Sequence, residues 1–162
     1  GDAKLALEVG NHYFNVSGSG DYNLQRAEKH FRRALVIDKN VPDAWHQLAR
    51  IDFLRGNFSD AMEKINKQIE IHGDSLMASY YIRGLINGYA GNLVEAEADF
   101  KKYLNWDKTD CAAHNDLAWV YFMRGDYKKL EIISRQGLYF NKNNPWLLIS
   151  LGASLLNQGK KK

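Results

Sequence analysis

The chain has 162 residues, 45% of them hydrophobic and 25% charged, proportions that exclude intrinsic disorder and allow roughly 70% of the unfolded surface to be buried. Its formal charge of +3 equals the three lysines of the C-terminal tail, Lys160, Lys161 and Lys162, so the balance gives no support to nucleic-acid binding. A single cysteine, Cys111, excludes an intramolecular disulfide and a cysteine metal cluster, and is expected to be a buried, inert thiol.

Taken in chain order, the apolar residues recur at three- and four-residue spacing, as in Trp45, Leu48, Ala49 and Phe53, and again in Leu117, Ala118, Tyr121 and Phe122. That is the period of helices. Turn signals separate the segments at Asp38–Pro42, His72–Ser75, Asp107–Asp110 and Asn141–Pro145. Pro42 and Pro145 stand where a following helix would begin, a position that tolerates the missing N–H. Near the start, Gly18-Ser-Gly20 reads as a flexible loop between helices, too short for a phosphate-binding loop and without the following Lys-Ser/Thr.

The segments repeat. Ala27, Ala61, Ala96 and Leu130 stand 34, 35 and 34 residues apart. Three residues earlier come Leu24, Phe58, Leu93 and Tyr127, and eight residues later Leu35, Ile69, Leu104 and Leu138. Gly56, Gly91 and Gly125 each precede Asn-Phe, Asn-Leu or Asp-Tyr, where a tight turn between helices needs glycine. Each unit is helix, turn, helix, and no helix pair buries its apolar stripe alone, so neighbours must stack.

These columns resemble the tetratricopeptide repeat. Trp45, Leu48, Ala49, Gly56, Phe58 and Ala61 match its pattern, as do Tyr80, Gly84, Gly91, Ala96 and Phe100, then Leu117, Ala118, Tyr121 and Gly125. The first unit offers Gly10, Tyr13, Ala27, Phe31 and Ala34, with a long loop from about Val16 to Gly20. A fifth unit shows only its first helix, with Leu148, Leu151, Gly152 and Leu155 before Gly159. The resemblance implies an all-α fold, a right-handed α-solenoid of antiparallel helix pairs. As one domain over 1–162 it has four repeats (about 3–40, 42–74, 76–109 and 110–143) and an additional terminal helix at about 144–158. That helix is apolar on more than one side, unlike a capping helix with a polar outer face.

In this family the first helix of each pair lines the concave surface. The resemblance therefore implies partner-binding positions at Asn11, His46, Arg50, Tyr81, Leu85, Asn115, Trp119 and Phe122, flanked by Phe14, Gln47, Tyr89 and Met123. Such an aromatic lining suits a peptide or an amphipathic helix of a partner protein. Arg50 is the cation placed to pair with a carboxylate. Related co-chaperones hold a partner's C-terminal carboxylate with Lys and Asn side chains. Here those positions read Leu7, Asn11, Gln47, Ala78 and Ile82, so a carboxylate clamp for a chaperone tail is not expected.

Signals of chemistry are few. The five histidines never form the i, i+4 pair of a helical zinc site, so no metal or other cofactor is expected. Glu95, Glu97 and Asp99 read as a solvated acidic face. The basic cluster Arg26, Lys29, Arg32 and Arg33 is diluted by Glu28 and Asp38, against nucleic-acid binding. No apolar run approaches the roughly 20 residues that span a bilayer, so this segment is not expected to insert in a membrane. The sequons Asn15-Val-Ser17 and Asn57-Phe-Ser59 matter only in a glycosylating compartment. Because the chain opens Gly-Asp-Ala-Lys, a removed leader or anchor stays open, with the cytoplasm slightly favoured. The sequence thus points to a non-catalytic protein-interaction scaffold. The alternatives are a substrate-recruiting repeat region of a larger enzyme such as a glycosyltransferase, or a module that self-associates through its terminal helix.

Overall fold

A computed structural model describes residues 1–15 and 20–160. Most of the long first loop, with Gly18-Ser19, the Asn15-Val-Ser17 sequon beyond Asn15, and the tail residues Lys161 and Lys162, lies outside the described residues. Among the described residues there are nine α-helices and no strand: α1 (Ala3–Asn15), α2 (Leu24–Ile37), α3 (Ala44–Leu54), α4 (Phe58–His72), α5 (Ala78–Tyr89), α6 (Leu93–Trp106), α7 (Cys111–Arg124), α8 (Tyr127–Phe140) and α9 (Pro145–Asn157). A single 3-10 turn, Gly73–Leu76, fills the His72–Ser75 turn region. The helices fall into two compact units, Gly1–Ile82 and Arg83–Lys162, with α5 contributing to both.

The glycine column does the same job at four helix ends. Gly56, Gly91, Gly125 and Gly159 take left-handed φ of +77°, +88°, +70° and +69°. The amide of the next residue then reaches back to a carbonyl of the last turn, from Asn57 to Asp52 (2.9 Å), Asn92 to Asn87 (2.8 Å), Asp126 to Tyr121 (3.0 Å) and Lys160 to Leu155 (2.9 Å). This closure satisfies carbonyls the helix leaves unpaired, and a side chain at that φ would be strained. Helix starts are equally local. Asn23, Asp110, Asp126 and Asn144 accept from the amide three residues on, and Pro145 occupies the first turn of α9.

In the first unit α1 packs on α2, α2 on α3 and α3 on α4. Its core joins Phe14, Ala27, Phe31, Leu48 and Ile51, beside a second cluster of Ala6, Ala34, Val41 and Ala44. In the second unit α6 packs on α7, α7 on α8 and α8 on α9, and α7 also touches α9. Ala96, Phe100, Leu117, Ala118, Leu130 and Leu147 are buried there. Small residues set the helix crossings: a Cβ added to Gly10 would lie 2.5 Å from the Phe31 ring, and one on Gly84 would lie 2.9 Å from Phe100.

Two sequence expectations are corrected. Glu97 and Asp99 do not sit on a solvated face; both are buried and clasped by cations. Asp99 accepts from Arg83 at Nε (2.9 Å) and Nη2 (2.8 Å) and from Asn87 (3.1 Å). Glu97 accepts from Tyr121 Oη (3.0 Å), Lys129 (3.1 Å) and Arg124. Burial alone would raise the Glu97 carboxyl, but hydrogen bonds from Lys129, Tyr121 and Lys101 outweigh it and hold the pKa at about 2. Cys111 is half-buried, not buried, because it is the first residue of α7, where a helix end meets solvent.

Candidate functional site

In the first unit, three side chains on the first helices of their pairs join in one polar chain. Gln47 on α3 donates to Asn11 Oδ1 on α1 (2.6 Å) and accepts from Arg50 Nη1 (2.8 Å). The Arg50 guanidinium lies 4.5 Å from the centroid of the buried Phe14 ring. Arg50 is thus half-buried and already bonded, and burial lowers its pKa from the ordinary arginine value. His46 is half-buried beside it. Burial, reinforced by the Arg50 charge, pushes the His46 pKa down to about 4, so its imidazole is neutral at pH 7. Its Nδ1 is buried without a hydrogen-bond partner. Tyr81 on α5 is half-buried, and Leu54 at the end of α3 is exposed.

The second unit carries the aromatic positions. Trp119 on α7 stacks on Tyr89 of α5 with ring centroids 5.4 Å apart and planes at 26°. Gly88 permits that approach, since a Cβ there would lie 3.0 Å from Trp119 Cζ3. Phe122 and Met123 continue the same helix. All four are open to solvent, Tyr89 at 61%, Trp119 at 37%, Phe122 at 48% and Met123 at 56%. Leu85 and Asn115 are half-buried, and Asn115 Oδ1 has no hydrogen-bond partner. Of the positions implied by the resemblance, the structure brings Asn11 and Arg50 together through Gln47, with His46 beside Arg50. It leaves Trp119 and Phe122 on one exposed surface with Tyr89.

Gln47, expected only as a flanking position, is the bridge of the polar chain, and one participant, Gly88, was missing from the set drawn from the sequence: it makes room for the Trp119 ring. Gly84 and Gly88, four apart inside one helix, were the available signal of close approach. A separate groove of about 880 Å³ runs beside α8, lined by Lys101, Leu104, Lys108, Ile132, Tyr139 and Phe140 among others. Among the described residues no three His, Cys, Asp or Glu side chains gather as metal ligands, and no helix is long and apolar enough to cross a membrane.

Neither a family model nor a curated protein sequence matches the chain. Solved structures do. The crystal structure of MamA protein is 18% identical with a TM-score of 0.81, over 97% of this chain and 82% of that one. YrrB, described as a TPR protein with an unusual peptide-binding site, is 13% identical with a TM-score of 0.80, over 99% and 80%. TTC0263, a thermophilic TPR protein of Thermus thermophilus, is 20% identical with a TM-score of 0.72, over 98% and 84%. The chain has the all-α tetratricopeptide-repeat fold.

Proposed function

We propose that the chain is a non-catalytic protein-interaction scaffold that takes a peptide or helical segment of a partner against the aromatic face formed by Tyr89, Trp119, Phe122 and Met123. The observation that carries this reading is that four large apolar side chains share one solvent-open surface of the second unit, two of them in a stack. Exposed aromatic surface of this kind is where binding energy concentrates in interfaces. Leu85 and Asn115, both half-buried, border the surface from α5 and α7. In the first unit Asn11, His46 and Arg50 would offer a separate polar contact area, with Tyr81 of α5 as a further contact, and Arg50 keeps donors beyond the one it gives Gln47. The repeat fold shared with a protein that has a peptide-binding site supports the same class of partner.

The test is selection from a displayed peptide library on the intact chain, with a Trp119→Ala/Phe122→Ala variant of unchanged circular dichroism as counter-target. Peptides that bind the wild type and lose at least about thirtyfold on the variant support the aromatic face. Selected peptides that bind both proteins equally overturn it.

A further inference from the structure

The second helices of the repeats present different chemistry at the same outward positions. Counted from the column of Ala61, Ala96 and Leu130, the residues one before it and two, five and nine after it form an outward row. On α4 the row reads Asp60, Glu63, Asn66 and Glu70, and all four are exposed. On α8 it reads Lys129, Ile132, Arg135 and Tyr139. Among the four second helices only α8 puts two large apolar side chains in this row, Ile132 at 56% and Tyr139 at 78% exposure. Packing within a repeat does not call for them, since α4 carries glutamates at both positions and still packs on α3.

These side chains border the groove of about 880 Å³ described above. One wall is α6 with Lys101 and, in the turn after it, Lys108; the other is α8; buried side chains of α7, Leu117 among them, lie beneath. No residue of α9 lines the groove, although α9 packs on both α7 and α8, so the helix that follows in the chain takes a different side. The walls and the bed all belong to helices that already have their repeat neighbours.

The charge along the groove is one-sided. Lys101, Lys108, Lys129 and Arg135 line it, and among the described residues no carboxylate joins them. The acids stand behind. Glu97 and Asp126 together face Lys101, Lys129 and Arg124, while Glu131 faces Arg135 (3.0 Å) and Lys160 (2.7 Å). Each group of acids is outnumbered by its cations, and Lys108 is exposed besides. That excess favours carboxylates, but with acids so close behind it does not suit a nucleic-acid backbone, whose binding rests on many phosphate contacts. An apolar bed with a positive rim complements an apolar segment that brings its own negative charge. The chain's own C-terminal lysines carry the wrong sign.

We propose that the groove between α6 and α8 docks an acidic, apolar segment of a partner protein, its Leu, Ile or Phe side chains set against Ile132, Tyr139 and Phe140 and its carboxylates against Lys101, Lys108 and Arg135. This surface is distinct from the aromatic face, since neither Trp119 nor Phe122 lines it.

The bait for the test is the intact chain carrying Trp119→Ala/Phe122→Ala, which removes the aromatic face, presented to a displayed library of random peptides. Expected are peptides rich in Asp and Glu beside Leu, Ile or Phe. Synthesised and titrated, they should bind at least about thirtyfold more weakly when Ile132→Gln/Tyr139→Gln is added to the bait. The fold should tolerate that pair, because polar residues hold both positions on α4, and unchanged circular dichroism checks it. Replacing the peptide carboxylates by amides should weaken binding about tenfold, and added salt should weaken the acidic peptide alone. An empty selection, selection of neutral or basic peptides, or equal affinity for the Ile132→Gln/Tyr139→Gln bait overturns the proposal. So does a dimer, seen by sedimentation, that the same pair of changes abolishes, which would give the groove to a second copy of the chain. Binding of a single-stranded oligonucleotide in place of the peptides, with the same dependence on Ile132 and Tyr139, overturns it as well.

Discussion

The two units differ most at the position six residues before the turn glycine, which holds Arg50 in the first unit and Trp119 in the second. In the first, Asn11, Gln47 and Arg50 bond to one another above the buried Phe14 ring, so the surface is built from groups that have largely satisfied themselves. In the second, Tyr89, Trp119, Phe122 and Met123 expose apolar area that water leaves unsatisfied. A repeat fold fixes where these side chains emerge and leaves their chemistry free. The difference therefore separates positions whose loss is felt in stability from positions whose loss is felt in binding.

The largest contrast should come from two phenylalanines. Phe14→Ala empties a buried ring site beneath Arg50 and is expected to cost about 3 to 5 kcal/mol in urea unfolding, whereas Phe122→Ala, at a side chain 48% exposed, should cost under about 1 kcal/mol. Equal losses would erase the distinction.

Acid should sharpen it next. His46 has a folded pKa of about 4 against 6.5 for the free side chain, so the unfolded chain takes up its proton first as pH falls. Stability contributed by the neutral imidazole is present above pH 6.5 and lost between 6.5 and 4, with a slope of up to about 1.4 kcal/mol per pH unit. Glu97 behaves in a lower window. Its folded pKa of about 2 lies below the ordinary 4.5, so its stabilisation is present above pH 4.5 and lost between 4.5 and 2. His46→Gln should flatten the first window and Glu97→Gln the second, read from denaturant midpoints across pH.

The smallest contrast lies in two amides. Gln47→Leu strips Asn11 and Arg50 of their shared partner and should cost about 1 to 2 kcal/mol, while Asn115→Leu removes an oxygen that has no partner and should be neutral or slightly stabilising, within about 1 kcal/mol. Thermal unfolding of the two variants side by side decides it.

What could be read from the sequence was what depends on local geometry. A φ near +70° favours glycine, although Asp43 also adopts it, and small residues at a fixed period mark helix crossings, so Gly56, Gly91, Gly125 and the Ala61 and Ala96 column located the helix pairs without any tertiary knowledge. Glu97 was unreadable by that route, because its neighbours on α6 look like a solvated face while its partners Arg124 and Lys129 are 27 and 32 residues away. The repeat itself held the missing signal. Glu28 and Glu131 share its column, and they bond Arg55 (2.7 Å) and Gln158 (3.0 Å), the residues standing where Arg124 does. The polar chain of Asn11, Gln47 and Arg50 was legible only as three separate positions, since a hydrogen bond spanning 36 residues is chosen by packing. The stack of Trp119 on Tyr89 depended likewise on Gly88 being small.

The turn at Gly159 is also a splice point. Because it reproduces the φ and backbone closure of Gly125, a gene in which residues 126–159 are written a second time after Gly159 would pass from one copy to the next through a junction the chain already uses at Gly125-Asp126. Concatenated in this way, the protein becomes a ruler that lengthens by a 34-residue module, with each module's stability measurable as an increment along a series of chains of growing length.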